Sequence, residues 1–172
     1  MASPTANAQR RGCAALSAAS GLILLLAGCN RVAEAPIDQH TQLNGAVPPG
    51  RVTAAEKIEL LTSAPADNGR EMLVYRTTRL AGTRAPIHYH DHSGLTCVIQ
   101  GEDTLRIQGR PTKRYGPGEC FVMPPGVPMA NLSSGKQNLV ALDFFEIPAG
   151  GSVWRVAEPG QQGITSQFQH TH

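Results

Sequence analysis

At 172 residues the chain has room for one ordinary domain beside an export segment, and not for two full domains. Aromatic residues make up only 5% of it, while 18 Gly and 13 Pro favour many short strands separated by turns over long helices. The net charge of +2 comes from Arg10 and Arg11; the remaining 13 basic residues match 13 acidic ones without forming a basic run, which excludes nucleic acid as an expected partner.

Residues 1–28 read as an export signal. Arg10 and Arg11 give it a positive end, and GLILLLA (Gly21 to Ala27) closes an apolar stretch that is short for a bilayer span, which takes about 20 apolar residues. The stretch ends in Leu26-Ala27-Gly28-Cys29, which resembles the bacterial lipobox, where small residues precede a cysteine that receives a diacylglycerol. The resemblance implies a lipid anchor on Cys29, with the exported part facing the periplasm. Asn30 after the cysteine, where the enterobacterial retention signal has Asp, favours the outer membrane. Several acyl chains on one cysteine would anchor stably, at about 0.8 kcal/mol per buried methylene.

Residues 29–50 show no sustained period of 3.6 or 2 and close with Pro48-Pro49-Gly50, so they read as a flexible tether. Ala54 to Leu61 fits either a short helical turn or a first strand. From Glu71 the pattern becomes uniform, with short apolar runs bounded by Gly, Pro or Asn. The expected strands are Glu71 to Leu80, Pro86 to His90, Leu95 to Gln100, Thr104 to Gln108, Cys120 to Met123, Met129 to Leu132, Leu139 to Ile147 and Ser152 to Val156. Such spacing predicts an all-β sandwich or barrel over residues 51–157. The remainder, 158–172, reads as a loose tail holding His170 and His172. In an oxidising compartment Cys97 and Cys120 can pair, while their apolar surroundings suit two buried free thiols equally well.

The distinctive local feature is His88-Tyr89-His90-Asp91-His92. On a strand, residues two apart share a face, so three imidazoles would line one side, an arrangement suited to Fe, Mn, Ni, Zn or Cu. Gly82, five residues, His88-Tyr89-His90 and a later Gly101 resemble the first motif of the cupin superfamily. Gly118, five residues and Pro124-Pro125-Gly126 resemble its second. The resemblance spans about Gly82 to Ser133 and implies a small cupin-type jelly-roll β-barrel. Two family metal ligands are missing, because Gly94 stands at the Glu position and Met129 at the second-motif His.

These readings give a lipid-anchored, periplasm-facing barrel that binds a small molecule, with His88, His90 and His92 as candidate ligands of one divalent metal and Met129, Gln100 and Phe121 as pocket residues. The alternatives are a metal-dependent cupin enzyme of the dioxygenase or isomerase type and a structural envelope scaffold. By resemblance the partner expected besides the ligand and the membrane is a second copy, in a homodimer.

Overall fold

The structure is a computed structural model and describes residues 38–164. Cys29, His170 and His172 lie outside the described residues. Twelve strands occur among them, arranged in two sheets. The first runs β1 (Arg51–Val52), β4 (Thr83–Arg84), β10 (Met129–Ser133), β5 (His88–Tyr89), β12 (Arg155–Val156), with β7 (Asp103–Ile107) paired to β10 and β8 (Lys113–Tyr115) to β7. The second runs β2 (Lys57–Ala66), β3 (Arg70–Arg79), β11 (Leu139–Pro148), β6 (Gly94–Gln100), β9 (Cys120–Met123).

Strand alternation builds the interior. On β3, Glu71, Leu73, Tyr75 and Arg79 are buried while Met72 and Arg76 are exposed. On β11 the inward set is Leu139, Ala141, Phe145 and Ile147, with Asp143 in the same parity. Of these, Leu73, Tyr75, Phe145 and Ile147 meet Leu105, Ile107, Met129 and Val156 from the other sheet, and Trp154 just before β12, in one core. Burying a side chain such as Leu73 or Ile147 contributes about 1.5–3 kcal/mol. Gly101 makes the turn from β6 to β7 at φ +78°; a Cβ there would lie 2.6 Å from the Asn138 carbonyl oxygen, so only glycine fits.

Cys97 and Cys120 stand opposite one another in the β6–β9 register and are disulfide-bonded. This decides between the two alternatives open in the sequence. Of the ambiguous region, Lys57 onward is strand, and β8 is a strand the apolar-run pattern did not foresee because its residues, Lys113-Arg114-Tyr115, are largely polar.

The described part of the expected tether is packed on the barrel. Leu43 is buried in a second cluster with Ile87, Ala130 and Ala157, and the His40 amide donates to the Ala157 carbonyl at 3.0 Å. Asn44 clamps the β7–β8 turn, its Nδ2 donating to the carbonyls of Ile107 and Arg110 and its Oδ1 accepting from the Gly109 amide at 2.7 Å. The reading of 38–50 as a free spacer is therefore corrected: one buried leucine and one bonded asparagine are enough to dock it, and neither generates a periodic pattern. The expected loose tail likewise begins with an anchored residue. Glu158 accepts two bonds from Arg84, at 2.6 and 2.8 Å, and one from the Ile87 amide at 2.9 Å.

Candidate functional site

Between the sheets lies a cavity of about 60 Å³, room for roughly two waters at about 30 Å³ each. β5 and the residue after it supply its imidazoles. His88 and His90 are both buried, with ring centroids 4.9 Å apart. The Nδ1 of His88 bonds the Pro86 carbonyl at 2.8 Å, and that of His90 bonds the Val153 carbonyl at 2.6 Å. A carbonyl only accepts, so each Nδ1 carries the proton and each Nε2 keeps its lone pair. Burial drives His88 well below the usual histidine range, with His90 beside it adding to the effect, and burial lowers His90 to about 4 against the pull of the Val153 carbonyl. Both rings are neutral at physiological pH. His90 Nε2 is buried and has no hydrogen-bond partner.

The lining also carries polar and charged groups from both sheets, which the sequence motifs do not signal. Arg79, from the end of β3, is 4% exposed, and its Nη1 donates to the Thr53 carbonyl at 3.0 Å while its Nε is buried without a partner. Burial lowers its pKa to about 10, offset by the charges of Asp103 and Asp143. Asp103, from β7, is fully buried; Asn131 donates to its Oδ2 at 3.2 Å, and Oδ1 has no partner. Burial raises it to about 7, partly opposed by the Asn131 bond. Asp143 is also raised by burial, against the two hydroxyls, from Thr77 and Thr96, that donate to it at 2.6 Å each.

Of the residues expected at the site, His88, His90, Met129 and Phe121 line the cavity. Gln100 does not. It is exposed at the end of β6, because the β6–β11 register shifts between Val140 and Ala141, so that Ile99 is passed over and Gln100 turns outward. His92 is not brought to the cavity either: β5 ends at Tyr89, the chain bends, and the three-residue alternation is broken.

The metal expectation also requires correction. Oriented imidazoles with carbonyl-bonded Nδ1 atoms suit two ligand positions. A third is missing, and no group of three or more His, Cys, Asp or Glu poised for a metal occurs among the described residues. Gly94 shows why. A Cβ at Gly94 would lie 2.6 Å from both Met123 Cε and Phe145 Cε1, and Phe145 is in turn stacked on His90 at 5.4 Å between centroids. The volume that a carboxylate at position 94 would need is filled by Phe145 and Met123. The residues present do not fit a metal, and no chemistry is derived through one.

Residues 76–145 match the cupin domain, and the two-sheet barrel is the small all-β fold expected from the sequence. No curated protein matches the chain. Among solved structures, the DMSP lyase DddQ from Ruegeria pomeroyi is 22% identical over 53% of this chain and 44% of that one, with a TM-score of 0.45. An RmlC-like cupin family protein with a double-stranded β-helix fold from Methanocaldococcus jannaschii is 18% identical over 56% and 84%, with a TM-score of 0.47. KdgF from Halomonas sp. is 20% identical over 51% and 87%, with a TM-score of 0.39. The chain spans less than half the length of the lyase.

Proposed function

We propose that this chain, which carries a cupin domain at residues 76–145, is a binding protein of the bacterial envelope that holds a small polar molecule inside its barrel. The observation that carries the reading is the set of unpartnered polar atoms around one cavity: Arg79 Nε, Asp103 Oδ1 and His90 Nε2. A buried polar atom left without a hydrogen bond costs about 1–3 kcal/mol, so three at one cavity call for an occupant that bonds them. Between the polar groups the lining is made of apolar side chains such as Leu105, Phe121 and Leu139, which favour exclusion of bulk water.

Placement in the envelope is supported by Leu26-Ala27-Gly28-Cys29 after the apolar run, and a Cys97–Cys120 disulfide suits an oxidising compartment such as the periplasm. In this reading a lipid on Cys29 holds the chain to the membrane, the outer membrane being favoured, with the barrel in the periplasm.

Both halves are tested on the full chain purified in detergent from bacterial membranes. Radiolabelled palmitate should enter the wild type and not Cys29→Ser. Native mass spectrometry should find a small molecule retained with the chain, or a metabolite panel should raise its unfolding temperature. An unlabelled wild type overturns the anchor; an empty barrel that no panel member stabilises overturns the binding reading.

A further inference from the structure

A second hollow lies at the seam where the two sheets end. β8 closes the first sheet and β9 the second, each paired on one side only. Tyr115 of β8 packs on Phe121 of β9, with ring centroids 4.7 Å apart, and bridges part of the gap between the two edges. Beside that contact the edges leave a space of about 400 Å³, within the ~300–1,000 Å³ range of small-molecule sites.

The β7–β8 register explains the lining. Lys113 stands opposite Leu105 and Tyr115 opposite Asp103, so both β8 side chains share the face of β7 that carries Leu105 and Ile107. Arg114, between them, points the other way and meets Glu102 at 3.5 Å. Leu105, Ile107, Tyr115 and, from β9, the exposed Val122 give the hollow an apolar floor. Two cations rim it. Lys113 Nζ sits 4.8 Å from the centre of the Tyr115 ring, and Arg110 comes from the β7–β8 turn. Neither forms an ion pair among the described residues, and no Asp or Glu lines the hollow. Asn44 holds the turn in place by donating to the Arg110 carbonyl at 3.0 Å, so the backbone that carries this cation is positioned before a ligand arrives.

We infer that this hollow binds a small hydrophobic carboxylate, with its anionic group on Arg110 and Lys113 and its apolar body on Leu105, Ile107 and Val122. Charge complementarity selects the anion, because two unpaired cations with no acid beside them favour it over a neutral or cationic molecule. The guanidinium presents a fork of N–H donors that a carboxylate matches, and the ammonium adds a point charge. Both cationic side chains are exposed, so their flexible ends can turn to one anion. The floor selects the body, since a bare inorganic anion would leave Val122 in water. Leu105 is the one residue that lines both this hollow and the barrel cavity, so the site stands whether or not the barrel holds a ligand.

The test is isothermal titration calorimetry of the full chain in nonionic detergent, with a titration into detergent alone subtracted. The ligands are phenylacetate, phenylacetamide, acetate and phenethylamine. Phenylacetate should bind saturably. Phenylacetamide, which keeps the body without the charge, and acetate, which keeps the charge without the body, should each bind at least about tenfold more weakly, and phenethylamine should not bind. Added salt should weaken phenylacetate and leave phenylacetamide unchanged. Arg110→Gln and Lys113→Gln should each weaken phenylacetate about threefold and together about tenfold, with the circular dichroism of the wild type. Val122→Glu, which sets a carboxylate in the floor, should abolish binding. Phenylacetamide binding as tightly as phenylacetate overturns the inference, and so does an Arg110→Gln, Lys113→Gln protein that binds like the wild type. The absence of saturable phenylacetate binding overturns it as well.

Discussion

The packing of Phe145 on Gly94 is open to a direct perturbation, Gly94→Ala. The added Cβ would sit 2.6 Å from Met123 Cε and 2.6 Å from Phe145 Cε1. Met123 can yield, since its methyl ends a flexible chain. Phe145 has less freedom, being stacked on His90 at 5.4 Å and edge-on to Tyr75 at 6.2 Å. Overpacking of this kind costs about 1–3 kcal/mol. At about 4 °C per kcal/mol for a domain of this size, the unfolding midpoint should fall by about 4–12 °C. Trp154, the single tryptophan, lies 4.6 Å from His88 between ring centroids and gives a fluorescence readout at the site itself. Phe145→Leu should relieve part of the strain, so the double variant should be at least about 1 kcal/mol more stable than the two single effects predict. Strict additivity, or a Gly94→Ala protein as stable as the wild type, would refute the claim that Phe145 fills the volume of the missing ligand.

Three further outcomes are expected of the site and its frame. Purified chain analysed by plasma mass spectrometry should hold no stoichiometric transition metal; one metal per chain, lost in a His88→Ala, His90→Ala double variant, would overturn the metal-free reading. Asp103, with a native pKa of about 7 against an ordinary 3.8, binds more protons folded than unfolded between those values, so its contribution to stability is present below pH 4 and lost as pH rises through 7. The stability of Asp103→Asn relative to wild type should therefore grow by roughly 4 kcal/mol from pH 4 to 7 in urea titrations, and a constant difference would refute the buried-carboxyl assignment. Reducing Cys97–Cys120, which closes a loop of sequence separation 23, should cost about 3 kcal/mol. The loss should fall first on β9, an edge strand of four residues paired only to β6, so hydrogen exchange should accelerate at Phe121 and Met123 before it does on β11. Uniform acceleration would contradict this.

Much of the frame was legible because inward and outward residues alternate on the long strands and Gly punctuates their ends. The polar wall of the cavity was less so. Asp143 shares parity with Leu139, Ala141, Phe145 and Ile147, and Arg79 with Leu73 and Tyr75, so a polar residue standing in an apolar inward series was the available signal. A single polar residue in such a series is a weaker mark than the dense His88-Tyr89-His90 motif beside it. Parity misled at Gln100, where following Gly94, Thr96 and Val98 points inward until the bulge at Ile99 reverses it. No local pattern announces such a bulge. The disulfide was open in the sequence because an apolar neighbourhood suits a thiol and a cystine alike, and only the β6–β9 register brings the two residues opposite each other.

The docking of residues 40–46 on the barrel has a mechanical meaning. The His40 amide is bonded to the Ala157 carbonyl, and the Ala157 amide to the Ile87 carbonyl. Val156, the neighbour of Ala157, lies opposite His88 in the β12–β5 register. Any pull on the chain from its N-terminal side is thus delivered through two hydrogen bonds and the buried Leu43 to the wall that holds His88 and His90, while the second sheet, with its long strands β2, β3 and β11, lies off that load path. A tug on the N-terminal side would strain the imidazole wall of the cavity before it reached the long strands of the second sheet.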